Sequence, residues 1–190
     1  MSPKKFENFI IFFNKIYMKI AIHGPMCSGK TTISNIIKEY DDEYNIYSFG
    51  GKIKEIAQDL FKMNGKDRTL LITIAKKMKE IDSNIWINYI IDKINHDNSD
   101  KCIIDDLRFQ NEIDNLNGWK IISLTTPKEV RIKRIMATYK DNYKDHLKNM
   151  DDISETSDIK FPKGTIYIDT SIEYDELKEK IYEIIQNNCV

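Results

Sequence analysis

Gly24-Pro25-Met26-Cys27-Ser28-Gly29-Lys30-Thr31 is the stretch that decides the fold. It has the spacing G-x-x-x-x-G-K-T. Before it, Tyr17–Ile22 (YMKIAI) is a short apolar segment suited to a buried strand. After it, Ile33, Ile36, Ile37 and Tyr40 recur at i, i+3, i+4 and i+7, one face of a helix. Strand, glycine loop and helix together are the setting in which this spacing builds an anion-binding turn. Gly24 and Gly29 let the backbone turn tightly and approach an anion, and the loop N–H groups and helix N-terminus then face phosphate oxygens. Lys30 can reach the β- and γ-phosphates of a nucleoside triphosphate, and the Thr31 hydroxyl can hold Mg2+. The stretch is a P-loop. Its predicted ATP-binding set is Gly24, Pro25, Ser28, Gly29, Lys30, Thr31 and Thr32, with Lys30 also catalytic.

A chain of 190 residues suits one domain with a sizeable core. Hydrophobic residues make up 41% and charged residues 31%, as in an ordinary globular protein. A net charge of −1 gives no basic footprint for nucleic acid. Cys27, Cys102 and Cys189 lie far apart and lack metal-ligand spacing, which points to a reducing, cytoplasmic setting (host cytoplasm for a viral chain). Cys27 reads as a small loop filler. Residues 1–17 are apolar but interrupted by Glu7, Asn8, Asn14 and Lys15, too short and too polar to span a membrane. They read as an N-terminal extension, with residues 18–190 as the functional domain. Met18 is a second candidate translation start.

Four further strands are expected: Ile46–Phe49, Cys102–Ile104, Trp119–Leu124 and Thr165–Ile168. Between the second and third lie three helical patterns. Ile53, Ile56, Ala57, Leu60 and Phe61 mark one, Leu70 to Ile81 the next, and Trp86, Tyr89, Ile90 and Ile94 the last. This region, about 50–98, reads as an insertion that covers a second substrate. A short helix through Phe109, Ile113 and Leu116 follows. Thr126–Glu129 and Thr170–Glu173 have capping-box spacing at the starts of two later helices. Residues 140–151 are charged and without periodicity. Short strands alternating with helices predict a three-layer α/β fold with a five-stranded parallel sheet and right-handed crossovers.

The second informative stretch is Asp105–Glu112 (DDLRFQNE), at a strand's carboxyl end, where ligands sit in open α/β sheets. Asp106 there can help hold Mg2+ beside the P-loop, and Arg108 can fork onto a second phosphate. No N-K-x-D base-reading motif of a GTPase occurs. The size fits a small kinase better than a translocase.

Asp106–Glu112 (DLRFQNE) resembles the D-V-R-F-P-N-E motif of phage and viral deoxynucleoside monophosphate kinases. Phe49–Phe61 (FGGKIKEIAQDLF), Leu71–Asn88 (LITIAKKMKEIDSNIWIN) and Asp152–Glu155 (DISE) resemble three further segments of that family in the same order. The resemblance implies transfer of the ATP γ-phosphoryl to a deoxynucleoside monophosphate, with Mg2+ as cofactor and no nucleic-acid or membrane partner. It leaves a homodimer open. It implies that Asp106 supports the metal and that Arg108 binds the acceptor phosphate. It also implies that Trp86 shapes the acceptor pocket, with Lys79 and Glu155 completing the acceptor set. Lys79 stands where the family usually has Arg, and Gln110 where it has Pro.

Phosphoryl transfer needs positive charge around the moving group. Arg131 and Arg134, at i and i+3, are the predicted catalytic arginines of a lid over about 131–155. His146 in that lid is expected at the surface. The alternatives are another small P-loop kinase of dephospho-coenzyme A or phosphomevalonate type, or a non-catalytic nucleotide-binding module.

Overall fold

The computed structural model describes residues 19–150, 152 and 158–188. In chain order it runs β1 (Lys19–His23), α1 (Lys30–Tyr40), β2 (Asn45–Tyr47), α2 (Phe49–Phe61), α3 (Arg68–Ile81), α4 (Ile85–His96), β3 (Cys102–Leu107), α5 (Gln110–Asp114), β4 (Lys120–Thr125), α6 (Lys128–Thr138), α7 (Tyr143–Lys148), β5 (Ile166–Asp169) and α8 (Tyr174–Asn188). The N-terminal extension, Cys189 and Glu155 lie outside the described residues.

Ile20, Ala21 and Ile22 of β1 are fully buried, as a central parallel strand covered on both faces requires. The sheet order is β2-β3-β1-β4-β5, and the four pairings are all parallel. β1 and β3 are neighbours whose onward connections leave in opposite directions, which opens a crevice beyond their carboxyl ends. The P-loop follows β1 and the Asp105–Glu112 stretch follows β3.

Strand alternation sorts the core into two layers. Ile20, Ile22 and Ile103 pack with Ile33, Ile36 and Ile37 of α1 and with Leu177, Ile181 and Ile185 of α8. Ala21, Cys102 and Ile104 pack on the opposite face with Ile53 and Ala57 of α2 and Ile87, Ile90 and Ile94 of α4. A satellite cluster of Met26, Ile135 and Met150 joins the P-loop to α6 and α7.

Several expected boundaries move, each for a local reason. β3 continues through Asp105, Asp106 and Leu107, because its pairing with β1 extends to His23 opposite Leu107 across an irregularity. Phe49 starts α2 rather than ending β2, and it is buried there. Residues 143–148, read as patternless, form α7. No helix among the described residues is long and apolar enough to cross a membrane.

Candidate active site

The loop from Gly24 to Gly29 is tightly packed. A Cβ on Gly24 would come within 2.5 Å of Ser28 Oγ and 3.0 Å of Leu124 Cβ, so only glycine fits there. Cys27 (φ 59) and Gly29 (φ 95) are in the left-handed region, which curls the loop into a concave nest of N–H groups. The Lys30 ammonium folds back along the loop and donates to the carbonyl oxygens of Gly24 at 2.6 Å and Pro25 at 2.9 Å. Ser28 is fully buried.

Two threonines brace the loop from outside. Thr170 donates its hydroxyl to the Ser28 carbonyl at 2.6 Å, and the Thr126 and Thr170 hydroxyls meet at 2.7 Å. Both were expected to cap helices. Neither caps one in this structure. The start of α6 has Pro127 at the N-cap with no side-chain hydrogen bond. Thr126 and Thr170 serve the loop instead, because β4 and β5 end beside it.

A cleft of about 880 Å³ opens from the loop towards α2, α3 and α4. Ser28, Gly29, Lys30, Thr31 and Thr32 line it, whereas Gly24 and Pro25 do not. Trp86, Lys79, Arg108, Asp105 and Asp106 also line it, so the expected acceptor residues within the described chain converge on one space. Its described lining carries Lys30, Lys54, Lys66, Arg68, Lys76, Lys79, Arg108 and Arg134 against the carboxylates of Asp105, Asp106 and Glu112. In a chain of net charge −1, that concentrates positive charge in the cleft. Phe49, Ile53, Leu71, Trp86 and Phe109 supply its apolar wall.

The two aspartates of β3 part ways. Asp106 shares the α2/α4 face with Ile104. Its Oδ2 accepts from the Ser48 hydroxyl and the Gly50 N–H, both at 2.8 Å, and its Oδ1 accepts from the Phe49 N–H at 3.0 Å. The expected metal ligand therefore has both oxygens engaged at the start of α2. Asp105 lines the cleft with Lys30 and Arg108. Burial and the Asp106 charge push its carboxyl up to about 6, against the pull of Lys30. Sequence reasoning gave Asp105 no role, and the register irregularity of β3 across these residues means that strand alternation could not have supplied one.

Trp86 is buried and donates its indole N–H to the Ala75 carbonyl at 3.2 Å. The Lys79 ammonium sits 3.5 Å from the centre of the Phe109 ring, and burial lowers its pKa. Glu112, only 4% exposed, accepts the backbone N–H groups of Arg108 at 2.8 Å and Phe109 at 2.9 Å. Burial pushes its carboxyl up to about 7 despite those bonds. The sequence reading gave Glu112 no role.

The two lid arginines also differ. Arg134 lines the cleft and donates to the Cys27 carbonyl at 3.3 Å and the Thr170 carbonyl at 2.6 Å. Arg131 is not among the residues lining the cleft, and its Nε and Nη1 are buried without a hydrogen-bond partner. His146 is fully buried, contrary to expectation, and its ring stacks on Tyr139 at 3.7 Å.

No curated protein matches the chain by sequence. Solved structures do match in fold. A gluconokinase from Sinorhizobium meliloti 1021 aligns over 92% of this chain and 94% of its own, at 14% identity and a TM-score of 0.56. A sugar kinase from Janibacter sp. HTCC2649 aligns over 89% and 94%, at 15% identity and 0.57. A dephospho-CoA kinase from Campylobacter jejuni aligns over 90% and 96%, at 22% identity and 0.50. These likenesses establish a P-loop kinase-like α/β fold. A family model described as an AAA domain matches residues 20–159, well over half of the sequence, and the chain belongs to that family.

Proposed function

We propose that this protein transfers the γ-phosphoryl group of ATP to a deoxynucleoside monophosphate. The observation that carries the reading is one cleft that holds the P-loop, further cations and an apolar wall together. The P-loop with Lys30 lines it. Arg108, Lys79 and Lys76 line the same cleft, as do Trp86 and Phe109. A nucleoside monophosphate needs such a pairing, an anion site next to a slot for a flat base.

In this reading the loop N–H groups and Lys30 hold the β- and γ-phosphates. Lys30 exchanges the Gly24 and Pro25 carbonyls for phosphate oxygens when ATP binds. Arg134 steadies the loop and faces the triphosphate. Arg108 forks onto the acceptor phosphate, and Trp86 and Lys79 shape its pocket. An oxygen of the acceptor phosphate forms a bond to the γ-phosphorus while the bond to the β–γ bridging oxygen breaks, and ADP leaves. That acceptor oxygen is already ionised, so no general base is needed. Residues 50–98 then form the acceptor arm, and the 131–155 region the lid that keeps water from the γ-phosphate.

Mg2+ fits the residues present. Among the described residues no group of three or more His, Cys, Asp or Glu could hold a metal alone. That suits an ion bound mainly by phosphates and water with one or two protein oxygens. Thr31 and Asp105 would supply those oxygens. The raised pKa of Asp105 marks a carboxylate that a cation would relieve. Asp106 would act on the ion only from behind, through the start of α2. The ion's chemistry is to neutralise charge on the phosphate oxygens.

The test is an ADP-release assay across the common nucleoside monophosphates, in deoxy and ribo forms. Dephospho-coenzyme A belongs in the same panel because of the fold likeness at 22% identity. Turnover confined to deoxynucleoside monophosphates is expected. Turnover of dephospho-coenzyme A alone would move the protein to the second reading, and ATP binding without any transfer would make it a nucleotide-binding module.

A further inference from the structure

Asp145 lies on α7, outside the cleft. Its Oδ2 accepts the backbone N–H of Arg68 at 2.7 Å, and its Oδ1 accepts the Thr69 hydroxyl at 2.7 Å. Arg68 and Thr69 are the first two residues of α3. A carboxylate from the connection between β4 and β5 thus caps a helix that lines the cleft. That helix already has a cap of its own, because the Asp67 side chain accepts the Leu70 N–H at 2.8 Å. A helix start leaves four N–H groups without partners, and one cap side chain satisfies one of them. The second cap, delivered from a distant segment, adds a tie between two parts of the molecule.

Other bonds run the same way. Asn142 donates to the Lys66 carbonyl at 2.6 Å, and Lys76 pairs with Asp152 at 2.6 Å further along α3. Hydrogen bonds from Thr69 and Arg68 outweigh the opposing effect of burial and hold the Asp145 carboxyl below its usual range. At its other end this segment is fixed to the P-loop, through Arg134 and the Cys27 carbonyl. α3 in turn carries Lys76 and Lys79 into the cleft and accepts the Trp86 indole on Ala75.

We infer that Asp145 is a positioning residue that couples the two halves of the site, so that ATP at the P-loop sets α3 for the acceptor. Donor and acceptor then bind cooperatively, each strengthening the other by the same factor. The inference rests on the reading of the cleft as a two-substrate site.

Two measurements test it on the full chain, with Asp145→Ala and Thr69→Val approaching one contact from either side. The first is amide hydrogen exchange at Arg68 with and without a non-hydrolysable ATP analogue and Mg2+. In the wild type the analogue slows this exchange, and in both variants the slowing is lost while analogue affinity stays within about threefold. This readout needs no acceptor, so failure to phosphorylate any monophosphate would sink the proposed function and leave the coupling to be judged by exchange. The second is the acceptor KM at low and saturating ATP. It falls by at least about fivefold in the wild type and becomes independent of ATP in the variants, with kcat at saturation little changed. A merely structural cap would lower stability and leave that ratio intact. Should Asp145→Ala fail to fold, Thr69→Val, which removes one hydroxyl, carries both readouts. Wild-type exchange indifferent to the analogue, or variants that keep the KM ratio, would overturn the inference.

Discussion

Arg134 donates from Nη2 to the carbonyl oxygen of Thr170 at 2.6 Å, which ties α6 to the end of β5. Its Nη1 reaches the Cys27 carbonyl in the P-loop. Arg131, one helical turn earlier, makes no such contact. The two arginines therefore separate on substitution. Each charge-assisted bond contributes about 1.5–3 kcal/mol. Arg134→Ala is expected to lower kcat/KM for ATP by at least about tenfold. Arg131→Ala should stay within about twofold of wild type in kcat/KM for ATP, because Arg131 does not line the cleft. Equal losses would show that both arginines reach the phosphoryl group in the working complex.

Lys30→Ala should retain the fold, since the ammonium's bonds to Gly24 and Pro25 stay within the loop itself, while kcat falls by about two orders of magnitude or more. Circular dichroism and steady-state turnover check the two halves of that statement. Turnover close to wild type would remove the P-loop from the mechanism.

Glu112 and His146 should give stability opposite pH slopes. Glu112 has a folded pKa of about 7, raised by burial above 4.5. Its contribution is present below the unfolded pKa and is lost as pH rises through the folded one. Burial lowers the His146 pKa from 6.5. Its contribution is present above the unfolded value and is lost as pH falls below it. Two sets of groups face that ring. Lys66 and Arg68 depress the pKa and Asp145 opposes them. Glu112→Gln should therefore gain Tm on the wild type above pH 7 and not at pH 5. His146→Phe, which keeps a ring against Tyr139, should flatten the acid side. Melting curves from pH 5 to 8 decide, and a Glu112→Gln curve parallel to wild type would refute the first slope.

Much of the fold was legible because its signals are local. The glycines at 24 and 29, the isoleucines of β1 and α1, and the alternation of short apolar runs with helical periods each speak for themselves. What was misread depends on distant neighbours. Thr126 and Thr170 have the spacing of caps, yet their hydroxyls go to Ser28, more than ninety residues away for Thr126. Residues 143–148 lack periodicity because α7 packs through few side chains and is held by bonds to α3. Asp106 was singled out over Asp105 because the motif names it. β3 is irregular in register across these residues, so only the hydrogen bonds of Asp106 to the start of α2 show which carboxylate is turned away from the loop. His146 looked exposed because its neighbours are charged, and only the tertiary packing of α7, with the ring against Tyr139, buries it.

Arg108 offers the sharpest test of the acceptor assignment. It follows β3 directly and lines the cleft with Asp105. Its backbone N–H is fixed by Glu112 at 2.8 Å, so the chain at its base is held before any ligand arrives. A guanidinium there binds a phosphate through two parallel hydrogen bonds, and an ammonium cannot reproduce that fork. Each such bond is worth about 1.5–3 kcal/mol. Arg108→Lys should therefore raise the acceptor KM by at least about tenfold. The KM for ATP should change far less, because the P-loop holds ATP through its own N–H groups. Any fall in kcat would report a misplaced acceptor oxygen, since small shifts at the reacting atoms are costly. The two KM values in one coupled assay settle the matter. An unchanged acceptor KM, or an equal rise for ATP, would take Arg108 out of the acceptor site and leave Lys79 and Lys76 as the cations to test there.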